Sequence, residues 1–129
     1  MSTAAALVFA LVTLGAIAFQ LALAAGAPWG EYAMGGAFRG KFPPRLRAMA
    51  VVQALVLGIL AAGVLSQAGL VDVPVVRDLP WLAWVAVVFS AVSLVLNAIS
   101  RSSGERRIWV PVALVMLGSS LIVATSATP

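Results

Sequence analysis

Gly26-Ala27-Pro28-Trp29-Gly30-Glu31-Tyr32-Ala33-Met34-Gly35-Gly36-Ala37-Phe38-Arg39-Gly40-Lys41-Phe42-Pro43-Pro44-Arg45-Leu46-Arg47 decides how this chain is read. It is the longest break in a very apolar sequence. It holds four of the eight Lys and Arg residues, the only Tyr and five of the eleven Gly. On both sides the sequence stays apolar for the length of a membrane span. Four such runs, at 4–25, 48–67, 81–100 and 108–126, each come near the ~20 residues that cross a bilayer as helix. The quoted stretch is then the loop between the first two spans. The expected fold is all-α: one transmembrane domain over 1–129, an integral membrane four-helix bundle.

Composition agrees. The chain is 63% hydrophobic and 9% charged, where a soluble domain is about half apolar and a quarter charged; its mean hydropathy is +1.11. The net charge of +4 does not point to nucleic acid, because its carriers sit in short loops where positive charge sets topology. Cys and His are both absent. That excludes disulfides, thiolate chemistry, imidazole acid–base catalysis, and Cys- or His-ligated metal or haem. No cofactor and no metal site are expected.

Distribution of the charges gives an orientation. The first loop holds Arg39, Lys41, Arg45 and Arg47, and the third holds Arg101, Arg106 and Arg107. The second holds Arg77 alone, and the termini hold none. Loops one and three lie on one side of a four-span chain. The positive-inside rule places them in the cytoplasm, with both termini outside, in a multi-pass protein of a bacterial inner (plasma) membrane. Ala22-Leu23-Ala24-Ala25-Gly26-Ala27 resembles a signal cleavage site. The positive n-region is missing, however, and the apolar run is too long, so the first helix is expected to be retained. Trp29, Trp81, Trp84 and Trp109 fall at span ends and read as interfacial anchors. Pro80 suits the first position of the third span, and Pro111 the first turn of the fourth.

No Asp, Glu, Lys or Arg lies within a span, which weakens a proton-coupled transporter. The small multidrug exporters, similar in size and span number, carry a glutamate in the first span; here that span offers only Gln20. Uncharged polar residues show more pattern. Gln20, Gln53 and Asn97 all fall in the cytoplasmic half of the bilayer at ~1.5 Å rise per residue. Ala86, Ser90, Ser93 and Asn97 form one helical stripe. The plainer explanation is interhelical hydrogen bonding, worth ~0.6 kcal/mol per contact. The functional one is a polar pocket opening to the cytoplasm beneath the first loop, built from Gln20, Gln53, Ser90, Ser93 and Asn97, with Glu31 and Glu105 at its mouth. The plainer explanation for those two glutamates is solvated surface charge. Ala18-Ala22-Gly26 and Ala54-Gly58-Ala62 are small-residue stripes expected to carry helix packing.

The loop residues Gly35–Phe42 nearly match the phosphate-binding pattern G-x-x-x-x-G-K-[ST]. Phe42 stands where the magnesium-binding hydroxyl is needed, and Pro43-Pro44 is expected to keep the required helix from starting. With its glycines, prolines and aromatic residues the loop reads as an ordered cap on the membrane surface. Arg39, Lys41, Arg45, Arg47, Arg101, Arg106 and Arg107 are expected to contact anionic lipid headgroups, at about 1 kcal/mol each.

At Gly26-Ala27-Pro28-Trp29-Gly30…Gly35-Gly36, and again at Asn97…Ser100-Arg101-Ser102…Glu105-Arg106…Trp109…Pro111, the chain resembles a set of uncharacterised small four-span bacterial membrane proteins of actinobacterial type. That resemblance implies a four-helix membrane bundle and carries over no activity and no site. The leading functional reading is a non-enzymatic membrane module, either an accessory subunit or a binder of a small molecule or lipid. Its expected partners are the bilayer, anionic headgroups, and a second copy or a larger membrane complex. The alternatives are a small homo-oligomeric transporter or channel past Gln20, Gln53, Ser90, Ser93 and Asn97, and a membrane enzyme on a lipid-like substrate using Glu31, Glu105 and Tyr32.

Overall fold

The computed structural model of the chain describes residues 2–33, 36 and 40–126, and of Glu31 the backbone alone. Arg39 lies outside the described residues. Among the described residues five α-helices follow one another: α1 (Ser2–Ala24), α2 (Pro44–Gln67), the single-turn α3 (Pro74–Arg77), α4 (Leu82–Ala98) and α5 (Ser103–Ser126). A 3-10 turn, Gly30–Tyr32, sits in the first loop, and no strand occurs among the described residues. Helices α1, α2 and α5 are long and apolar enough to cross a membrane, while α4 is apolar but has only 17 residues. At ~1.5 Å per residue α4 reaches ~25 Å, short of a ~30 Å hydrocarbon core; the others reach ~35 Å.

Helix ends differ from the sequence expectation in places, for local reasons. Helix α2 begins at Pro44, within the Pro-Pro pair expected to block it, because proline at the first position loses no hydrogen bond. Pro80 lies outside α4, one residue before the N-cap Trp81. Helix α5 starts at Ser103, not near residue 108, so the polar turn shrinks to 99–102. Ser102 Oγ accepts the Glu105 N–H at 3.1 Å, the bond of a helix N-cap. Pro111 consequently lies well inside α5 rather than in its first turn. Carrying no N–H, it leaves the Arg107 carbonyl without its usual helical donor.

Helix α1 ends where Gly26 takes φ 100°, and the Gly26 and Ala27 N–H groups turn back to Leu23 and Ala22. This is a Schellman motif, which needs glycine at the left-handed position. Arg47 Nε donates to the Ala24 carbonyl at 2.7 Å, placing a cation at the negative end of α1. The guanidinium is thus engaged within the protein, at a position expected to face lipid headgroups.

Each long helix turns one stripe inward: Ala6, Phe9, Thr13 and Ala16 on α1; Leu46, Ala50, Leu57, Leu60 and Val64 on α2; Leu82, Ala86 and Ser90 on α4; Ala113, Met116, Ser120 and Val123 on α5. Helix α1 packs on α2 and α5, and α4 packs on α5 and α2. The C-terminal ends of α1 and α4 therefore meet the N-terminal ends of α2 and α5 at one end of the molecule, the loop end, which carries loops 25–43 and 99–102.

Small-residue packing follows the sequence stripes only in part, with Ala54 buried. Ala18 is exposed, and a Cβ on Gly58 would touch nothing. The close approach is at Gly63, where a Cβ would lie 2.7 Å from Leu82 Cβ. It brings α2 and α4 together at the far end. Around it Ala6, Phe9, Val64, Ala83 and Val123 have no exposed surface.

Candidate functional site

The loop end is built differently. A cavity of about 510 Å³ lies between α1, α2, α4 and α5, beneath the first loop. That volume is within the ~300–1,000 Å³ range of small-molecule sites. Its wall carries Gln20 from α1, Gln53 from α2, Ser93 and Asn97 from α4, and Glu105 from α5. Phe19, Phe89, Trp109 and Met116 supply apolar surface, and Ala16, Ala50 and Ala113 leave room because their side chains end at Cβ.

The roof is part of the folded protein. The Gly30 N–H donates to the Gly40 carbonyl at 2.9 Å and closes the base of the loop. Trp109 Nε1 donates to the Tyr32 carbonyl at 2.9 Å, joining the roof to α5. Phe19 lies between two tryptophans, parallel to Trp29 and edge-on to Trp109 at centroid distances of 6.3 and 4.8 Å. Tyr32 packs so tightly on α5 that a Cβ at Gly104 would lie 2.5 Å from its Cε1. Phe42 is buried with Leu23, Leu46 and Ala50 under the loop. Trp109 is half-buried and lines the cavity, while Trp29, Trp81 and Trp84 are exposed.

Polar groups in the wall fall into two kinds. Asn97 Nδ2 donates to the Ser93 carbonyl at 2.6 Å, which commits one hydrogen and leaves the rest of the amide. Gln20 and Gln53 make no side-chain hydrogen bond among the described residues. Glu105 is buried, with 5% of its surface exposed, so it is not a solvated surface charge. It sits in the first turn of α5, where the helix dipole favours a carboxylate.

Of the seven residues expected to form a polar pocket, five converge on this cavity: Gln20, Gln53, Ser93, Asn97 and Glu105. Ser90 does not. It is fully buried one turn deeper, its hydroxyl donating to the Ala86 carbonyl at 2.7 Å. The Glu31 side chain lies outside the described residues. Lys41, Arg45, Arg101, Arg106 and Arg107 are exposed around the loop end. Arg106 also donates to the Ser100 carbonyl and steadies the α4–α5 turn.

Sequence reasoning missed the aromatic part of the site. Phe19 is next to the lining residue Gln20 in the sequence, and Trp109 is one helical turn after Glu105. The signal was that spacing, obscured by the general abundance of apolar residues. Among the described residues no group of three or more His, Cys, Asp or Glu side chains is placed to hold a metal. No protein-family model, no curated protein and no solved structure matches the chain.

Proposed function

We propose that this chain is a membrane-spanning four-helix bundle that binds a small amphiphilic molecule without turning it over. One observation carries the reading: a roofed cavity whose wall offers the uncommitted amides of Gln20 and Gln53 within an otherwise apolar protein. These amides are half-exposed and line the cavity, so a ligand bearing hydroxyl or amide groups finds both donors and acceptors there. Aromatic and aliphatic lining would hold the apolar remainder.

In the proposed orientation loops one and three face the cytoplasm, with seven of the eight basic residues on that side. The pocket then lies in the inner half of the bilayer. The exposed Lys41, Arg45, Arg101, Arg106 and Arg107 meet the headgroups of the inner leaflet. Native mass spectrometry of protein extracted gently from its own membrane tests the reading. The expected result is one retained small molecule, lost from the Gln53→Leu, Asn97→Leu double variant. A bare polypeptide would contradict it.

A further inference from the structure

The wall of the cavity gathers side-chain types that are scarce elsewhere. Five of the ten aromatic residues line it, Phe19, Tyr32, Phe42, Phe89 and Trp109, and so do three of the four amides, Gln20, Gln53 and Asn97. Close packing does not account for the rings, because among the described residues the sealed far end buries a single aromatic side chain, Phe9. Helix α1 packs on α2 and α5, and α4 packs on the same two helices, so α1 and α4 stand across the bundle from each other. Gln20 and Asn97 therefore approach the cavity from opposite sides, with Gln53 on a helix between them and Trp109 on the fourth helix. Among the described residues no Lys or Arg lines the cavity. Glu105 is already engaged within the protein and needs no counter-charge from a ligand.

We infer that the pocket takes a neutral, flat, conjugated ring with oxygen atoms at opposite edges, the chemistry of a quinone head, held among the rings of Phe19, Phe89 and Trp109 with its two oxygens on Gln20 and Asn97. This rests on the binding reading above and gives it a ligand class. A flat ring presents its π-faces to aromatic walls, and each such pair contributes beyond the area it buries. Amides on opposite helices match polar atoms at the two ends of one ring. Because an amide both donates and accepts, it serves the carbonyls of a quinone and the hydroxyls of the reduced form alike. A charged head has no free counter-charge in the wall, and a buried charge without a partner is costly. A puckered ring of the same polarity would meet the amides and forgo the stacking.

Menadione, a tail-free naphthoquinone, is the probe, and the absence of cysteine leaves it no thiolate to alkylate. Trp29→Phe, Trp81→Phe and Trp84→Phe are combined in the full chain, so that Trp109 is the one tryptophan whose fluorescence is read. In detergent, menadione is expected to quench Trp109 saturably. The Gln20→Leu, Asn97→Leu double variant is expected to keep the thermal midpoint of its parent and to bind menadione about tenfold more weakly. Methyldecalindione, the same skeleton with both rings saturated, is expected to compete about tenfold more weakly than menadione itself. Equal competition by the saturated dione overturns the requirement for a flat ring. Saturable quenching unchanged in the double variant overturns the placement of the two oxygens. Quenching that rises without saturating overturns the quinone class. Native mass spectrometry then separates the two levels: a different molecule retained from the native membrane leaves the binding reading standing, and a bare polypeptide removes both.

Discussion

The two ends of this molecule use the same helices to opposite effect. At the far end, Phe9, Val64 and Val123 are fully buried and a glycine lets α2 and α4 touch. Midway down, the hydroxyls of Ser90, Ser119 and Ser120 fold back on carbonyls of their own helices. At the loop end, inward stripes carry longer polar side chains separated by alanines, and a folded loop covers the opening. In lipid no hydrophobic force draws helices together, so contact follows shape and hydrogen bonding. Where large side chains meet small ones the protein closes. Where amides and alanines face each other it stays open.

Substitutions at the two ends should therefore act on different properties. Phe9→Ala empties a fully buried site at the far end and should cost about 3–5 kcal/mol, read as a fall in thermal midpoint in detergent. A loss comparable to that of an exposed residue would show that the far end is not close-packed. Gly63→Ala brings a methyl against Leu82 Cβ and should cost about 1–3 kcal/mol by forcing α2 and α4 apart. Thr13→Val tests the boundary between the halves. The Thr13 hydroxyl is fully buried and has no hydrogen-bond partner among the described residues; removing it should stabilise the protein by about 1 kcal/mol. Gly104→Ala should displace Tyr32 from the roof, with loss of the retained molecule as its main readout. Gln53→Leu should change stability least, within about 0.5 kcal/mol, yet weaken ligand retention. A large stability loss there would mean that Gln53 holds helices together and faces no pocket.

Much of this arrangement was legible in the sequence. The period of Ser90, Ser93 and Asn97 gives one face of α4, and helical rise alone sets Gln20, Gln53 and Asn97 at one depth. Other features depend on contacts between distant segments. Nothing local says that the Trp109 indole N–H finds the Tyr32 carbonyl, or that the close glycine is Gly63 and not Gly58. Some signals were present and passed over. Ser102-x-x-Glu105 is the pattern of a helix start, and it would have put Pro111 inside α5 and Glu105 on its first turn. The prolines misled in the other direction, since Pro44 opens a helix that a Pro-Pro pair was expected to forbid.

The central claim is that the half on the proposed cytoplasmic side holds a cavity and the other half is sealed. Cysteine labelling with a membrane-impermeant maleimide tests it most directly, on an otherwise cysteine-free chain. Gln53 and Leu60 lie two turns apart on the inward side of α2, one at the cavity and the other in the core. Gln53→Cys should react from the cytoplasmic face alone, and Leu60→Cys from neither face. Comparable labelling of both, or of Leu60→Cys from the outside, would mean a continuous aqueous path through the protein and would replace a binding module with a channel or transporter.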